Sequence, residues 1–435
     1  MRVAFRGALE AVRVDGGGEV LVPNGVRSLI TYIYEDCKSA RTNTCACAGT
    51  YNTQRKHHLF QCFRTAPINL TSNVILRVEG TMRAVADRTK FPIIGILPSV
   101  GHDYDTRGHA RYHPFVYAVG GTNITVTGNG VIDGAGAYWW TRASRELNHG
   151  VGRPHLMELQ SVRGVEVTGV TLLNSAFWTF HPTYCQDVHI HHIKIQVPWL
   201  AHVGNESISG FNGDGIDIDS CQNVLIEHNY INCGDDHFTV LAGVGDAGKA
   251  WASDHWPCRN ITIVDNKLGS GMGISIGSSV SGGIEDVIYA RNHMNETKGQ
   301  WGIGVHIKTR TSYGGHIRNI LYENNTFDHA GEPGGALHIE SGYQSGHGSS
   351  CAYENCTEIR DVVFRNLTFA HSGGTGNILC FPARPCQNIT FDNVHVHVDN
   401  RPNIPGWQCA NVASGTFKDV TPPRDTSKSN CNFTS

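Results

Sequence analysis

The segment Asn212-Gly-Asp214-Gly-Ile-Asp217-Ile-Asp219-Ser-Cys221, followed by Gly234-Asp235-Asp236, packs six carboxylates or amides into a stretch that otherwise reads as short strands. Asp214 and Asp235 are 21 residues apart. If the chain coils with that period, Asp214 lies one rung from the Asp235-Asp236 pair, and neighbouring strands are only roughly 4.8 Å apart. Three carboxylates that close cannot all ionise freely, so at least one keeps its proton near neutral pH. A proton-bearing carboxyl beside an ionised one is what hydrolysis of a glycosidic bond requires.

The elements that must position these acids form a repeat. An Asn or Asp followed by alternating β-branched residues recurs in Ser72-Asn-Val-Ile-Leu-Arg-Val78, Cys185-Gln-Asp-Val-His-Ile190, Cys221-Gln-Asn-Val-Leu-Ile226, Cys258-Arg-Asn-Ile-Thr-Ile263 and Cys386-Gln-Asn-Ile-Thr-Phe391, among others. A short period of strands means a solenoid, since one unit cannot bury its own apolar face. Period-two alternation turns one face of each strand inward. With no long helical stretch between copies, the expected fold is all-β: a right-handed parallel β-helix of about ten rungs. The Asn or Asp before each strand suits a left-handed turn position.

A single domain spans residues 1–435 in this reading. Residues 1–25 form an N-terminal cap, with Phe5, Leu9 and Val12 on one face of a short helix. Residues 26–399 form the coils, and 400–435 an irregular tail pinned by disulfides. Fourteen cysteines suit an oxidising compartment, with Cys351/Cys356, Cys380/Cys386 and Cys409/Cys431 as bridges and Cys45 or Cys47 joined to Cys37 or Cys62. No Cys-x-x-Cys set with partner histidines is present, so neither a metal nor any other cofactor is expected.

Ten Asn-x-Ser/Thr sequons, Asn69 to Asn432, fit a secreted protein; several lie inside the strand repeat itself, as in Asn-Ile-Thr, where the alternative is that they are never glycosylated. No signal peptide is legible, and we read the start as a truncated gene model or a mature fragment. A net charge of −3 gives no basis for a polyanion clamp, and no apolar run reaches membrane-spanning length. We therefore expect a monomer with no nucleic-acid or membrane partner, working in the extracellular space or cell wall.

Residues 130–315 resemble glycoside hydrolase family 28, the polygalacturonases and their relatives. The resemblance rests on Gly130-Val-Ile-Asp-Gly-Ala-Gly136, Arg153-Pro-His-Leu-Met-Glu-Leu159, Asn174-Ser-Ala-Phe-Trp-Thr-Phe-His-Pro182, Asn212-Gly-Asp214, Gly234-Asp-Asp236, Gly271-Met-Gly-Ile-Ser-Ile-Gly-Ser278 and Gly304-Val-His-Ile-Lys-Thr309. It implies a pectic polysaccharide partner, Asp235 as general acid, Asp214 and Asp236 as the base pair, and inversion at the sugar. Backbones one rung apart would let splayed carboxyls reach the roughly 6.5–9.5 Å that inverters use.

Asn212, Lys308, His306 and Tyr343 complete the expected substrate contacts. Lys308 would clamp a uronate carboxylate, or else serve as counter-charge to the acids. His306 stands where many members carry Arg, and is either a cation in acid or a packed strand residue. Met272 stands where many have His, and Gly213 where Thr is common. Asp217 and Asp219 read as turn carboxylates accepting backbone N–H groups, His237 as structural, and Phe177 and Trp178 as core. Two rival functions remain: β-elimination of the pectate-lyase type on aspartate-bound calcium, and a catalytically silent wall-binding β-helix. The paired aspartates and Lys308 weigh for hydrolysis.

Overall fold

The computed structural model describes residues 18–22, 62–100, 110–141, 150–198, 212–295, 302–330, 335–344, 350–399, 406–424 and 431–434, and the backbone of 200–203 and 206–209. The expected helix through Phe5, Leu9 and Val12 and the cysteines at 37, 45 and 47 lie outside these residues.

The chain winds into a right-handed parallel β-helix with a 22-stranded and an 11-stranded sheet. A typical coil gives two strands to the larger sheet, as Gln222–Glu227 and Tyr230–Asn232, and one to the smaller, as Ile216–Asp219. Each strand bonds in register to the equivalent strand of the next coil. In the smaller sheet one row runs Phe180, Ile216, Phe238, Ile274, Val305, Leu337, all fully buried. The residues between them must therefore face outward.

The corners follow from side-chain chemistry. Asn73, Asn123, Asp187, Asn223, Asn260, Asp286, Asn319, Asp361 and Asn388 all have φ between 51° and 59°, the left-handed region anticipated for the repeat. Their side chains bond rung to rung, as in Asn260 Nδ2 to Asn223 Oδ1 at 2.8 Å. A second ladder is buried: Asn229, Asn266, Asn292 and Asn325 each accept, through Oδ1, the backbone N–H of the coil before. That satisfies turn amides that water does not reach. Aromatic rings stack along the core, Tyr289 on Tyr322 at 4.8 Å and Tyr322 on Phe364 at 5.2 Å.

The disulfides Cys351–Cys356, Cys380–Cys386 and Cys409–Cys431 are present as expected. Cys185, Cys221, Cys233 and Cys258 are buried free thiols. Three of them stack at one corner: Cys185 leads into the strand paired with the one after Cys221, as Cys221 does with Cys258. The tail differs from expectation. Val412–Thr421 pairs in parallel with Gln387–Val398, and Cys431–Thr434 pairs with it in turn. Phe417 joins the ring stack 4.8 Å from Phe391, so burial of an apolar row prolongs the coil where Pro and Cys content argued for irregular structure.

Candidate active site

Asp214 and the Asp235-Asp236 pair sit in the turns that open two adjacent strands of the smaller sheet, Ile216–Asp219 and Phe238–Leu241. The backbone locks the turns together: Gly215 N donates to the Asp236 carbonyl at 2.9 Å. One oxygen from each of the three carboxyls lies within 4.8 Å of the others. The expected convergence is there, but tighter than the anticipated inverter spacing. Two of the acids are sequence neighbours and the third is a single rung away, so their side chains have little room to splay.

The three acids differ in environment. Asp236 accepts Ser275 Oγ at 2.7 Å on one oxygen, and Lys308 Nζ at 2.6 Å and Thr239 Oγ1 at 3.3 Å on the other. Three donors on one carboxyl is the pattern of an ionised acceptor. Burial, then the neighbouring Asp236 charge, pushes the Asp235 carboxyl up to about 7. Burial, then Asp235, raises Asp214 well above the usual carboxylate range, and its Oδ1 has no hydrogen-bond partner among the described residues. The groove thus presents one acceptor carboxylate beside carboxyls that retain protons.

The remaining expected residues gather around these. Asn212 takes a left-handed φ of 53° and its Oδ1 accepts Arg153 Nη2 at 3.2 Å. Lys308 reaches across the rungs to Asp236 while its ammonium lies 5.4 Å from the Tyr343 ring centroid. His306 packs against the same ring at 5.5 Å and places Nε2 3.3 Å from Glu340 Oε2. It is 5% exposed, and burial lowers its pKa, as does Lys308. His237 is structural: Nε2 donates to the Gly269 carbonyl at 2.9 Å, Nδ1 accepts Gly273 N–H, and burial depresses it to about 4.

Two sequence readings need correction. Asp219 does accept a backbone N–H, from Gly243 at 3.3 Å, but Asp217 is buried in mid-strand with neither oxygen hydrogen-bonded among the described residues. Burial and the nearby acids raise it well above the carboxylate range despite the opposing charge of His181, so it serves as a neutral carboxyl and not a turn acceptor. Phe177 is buried and stacks on Trp178 as expected, but the pair forms a cavity wall outside the central core. They stack with His155 at 5.3 Å and line a cavity of about 610 Å³, mouth included, together with Leu97, Arg153 and His181.

The charged cluster behind that cavity was not anticipated. Arg111 grips Glu158 through both oxygens, His155 Nδ1 lies 2.8 Å and His181 Nδ1 3.2 Å from Glu158 Oε2, and His181 Nε2 faces Asp219 at 3.8 Å. Burial disfavours the charge on Glu158, but Arg111 and both histidines outweigh it and hold the carboxyl well below its usual range. His181 rises to about 9 because bonds to Asp219 and Glu158 overcome its burial, while burial takes His155 down to about 4.

Among the described residues two groups bring metal-ligating atoms together, Asp214/Asp235/Asp236 and His155/Glu158/His181. In each, a side-chain cation already occupies the place of an ion: Lys308 on Asp236, and Arg111 on Glu158. The residues therefore do not fit the calcium centre that a lyase would need.

A parallel β-helix carrying a proton-holding carboxyl beside an acceptor carboxylate defines a glycoside hydrolase of the carboxylate class. The profile of glycosyl hydrolases family 28 matches residues 69–418, and the chain belongs to that family. It is similar to a probable polygalacturonase of Vitis vinifera, 29% identical over 368 residues covering 82% of this chain and 70% of the relative. An exopolygalacturonase from Thermotoga maritima shares the fold at 22% identity with a TM-score of 0.64, covering 96% of this chain and 85% of that one. A family 28 exopolygalacturonase from Yersinia enterocolitica does so at 19% identity and 0.67, covering 86% and 71%.

Proposed function

We propose that the protein hydrolyses α-1,4-linked galacturonate chains of pectin with inversion, acting outside the cell as a monomer. The reading is carried by one observation: Asp235, held protonated to about 7, lies within 4.8 Å of an Asp236 that accepts three hydrogen bonds. Asp235 gives its proton to the leaving glycosidic oxygen as the anomeric C–O bond breaks. Water attacks the anomeric carbon and its proton passes to Asp236, returning the pair to its single negative charge. Asp214, a proton holder in the free enzyme, orients that water as the second member of the base pair. The close carboxyl spacing alone would favour retention. Inversion is preferred because both Asp236 oxygens are already committed to donors, which leaves that carboxylate a poor nucleophile. Three disulfides support an oxidising, extracellular setting.

Proton NMR of products from oligogalacturonates tests this. The β-anomer should appear first, and Asp235→Asn should abolish release of reducing ends while the thermal midpoint stays unchanged. First appearance of the α-anomer would refute the inverting assignment, and undiminished turnover by Asp235→Asn would refute the acid.

A further inference from the structure

Asp235 is aimed by backbone amides. Its Oδ1 accepts the N–H of Asp236 at 3.0 Å, and the N–H of Asn212, from the preceding coil, donates to the same carboxyl. The direction of that second N–H depends on the turn at Asn212, which sits at a left-handed φ of 53°. Asparagine tolerates this region without requiring it, so neighbouring contacts decide whether the turn is kept. Arg153 supplies such a contact. Its Nη1 donates to the Ala176 carbonyl at 3.0 Å and its Nη2 to Asn212 Oδ1 at 3.2 Å, so one guanidinium plane ties two successive coils. The Phe177 ring lies 4.9 Å from the guanidinium carbon, and Arg153 is only 8% exposed. A guanidinium bonded at two tips and packed on a ring is held in one orientation.

We propose that Arg153 is a positioning residue for the acid: by gripping the Asn212 side chain it keeps the Asn212 N–H on the Asp235 carboxyl. This rests on the hydrolase reading above and adds to it a residue beyond the three acids. The effect of Arg153 passes through Asn212, whose own part is then played by its amide. An amide N–H favours the ionised carboxylate, and Asp235 becomes ionised as its proton leaves for the glycosidic oxygen. Losing that N–H would leave the acid both less well aimed and less willing to give up its proton. The charged or titratable groups that face Asp235 are Asp236, Lys308, Asp214, Asp217 and Cys233.

Two variants cut the grip while leaving all of those groups and the net charge unchanged. Arg153→Lys keeps a cation but cannot bridge both acceptors. Asn212→Gly deletes Oδ1, and glycine still adopts the left-handed φ, so this variant carries the test if the lysine variant misfolds. In each, the Asp235 pKa should rise from about 7, by about one unit. The alkaline limb of kcat/KM for oligogalacturonates should move upward by the same amount, and kcat should fall roughly tenfold with KM unmoved. Carbon-13 NMR of the Asp235 carboxyl in the free protein should show the same rise without turnover. The double variant should match either single one, because both cut the same link. A limb and a carboxyl titration unmoved in both variants, or shifts that add in the double variant, would overturn the proposal. So would a raised KM at unchanged kcat, which would make Arg153 a substrate contact. If the wild-type protein cleaves no oligogalacturonate, the hydrolase reading fails, and the carboxyl titration by itself still decides the role of Arg153.

Discussion

Replacing Lys308 by methionine removes the ammonium 2.6 Å from Asp236 while keeping most of the side-chain volume. Lys308 also lowers the pKa of Asp235 and of Asp214. Asp235 and Asp236 bring an oxygen of each within 4.8 Å, so the coupling is worked for a separation on the order of 8 Å. At an effective dielectric of about 20, a unit charge at that distance is worth roughly 2 kcal/mol, or a little over one pKa unit. The sign is fixed: without the cation the charged form of Asp235 is less favoured, so its pKa rises from about 7. The alkaline limb of kcat/KM against pH reports the acid in the free enzyme. That limb should move upward by about one unit in Lys308→Met, with a fall in maximal rate as Asp236 loses its strongest donor. The assay is reducing-end release from pH 4 to 10 at substrate well below KM. A uniform loss of activity at all pH values, with the limb unmoved, would mean that Lys308 serves only the substrate and that its electrostatic coupling to Asp235 has been misread.

Glu158→Gln leaves Arg111 and charged His181 buried without their carboxylate, and should cost about 3–5 kcal/mol in a urea titration. In the wild type His181 titrates near 9 when folded, above its unfolded value of 6.5, so its stabilisation is complete below 6.5 and disappears as pH climbs to 9; that decline should shrink in Glu158→Gln, where Asp219 alone still supports the charge. His155 and His237 act in the opposite sense. Each stays neutral down to about 4 in the folded protein, so stability should fall as pH drops from 6.5 to 4, by up to roughly 3 kcal/mol per histidine, and thermal midpoints should peak between pH 6 and 7. Asn266→Ala orphans the buried N–H of Asn229 and the carbonyls of Ile226 and Val264, and should cost about 2–4 kcal/mol by denaturant midpoint.

Much of the scaffold was legible because its signals are local. Asn and Asp tolerate a left-handed φ, so one residue type before each strand foretold the corner ladder. Asp214, Asp235 and Asp236 were legible because their spacing matches one coil. The Arg111–Glu158–His181–Asp219 cluster was not, since its members are scattered over four coils and meet only through the sheet register. The signal that was available is Glu158 itself, a charge between Met157 and Leu159 in an otherwise apolar strand. Asp217 was misjudged for the same reason: its sequence suggests a turn, while the register puts it mid-strand under His181. The tail was misread because Pro and Cys content drew attention away from Phe417 and Val420, apolar residues on either side of the left-handed Asp419 corner.

A coil contacts chiefly the coils before and after it, and this bears on synthesis. Every residue placed here in the groove, from Arg153 to Tyr343, belongs to consecutive middle coils. Among the described residues, the strands from Glu358 onward supply packing and disulfides and none of the side chains placed here around the acids. A ribosome releases the chain from its N-terminus, and stacked repeats add one neighbour at a time. The catalytic surface is therefore laid down in order and complete before the final coils emerge, leaving those coils to seal its exposed end.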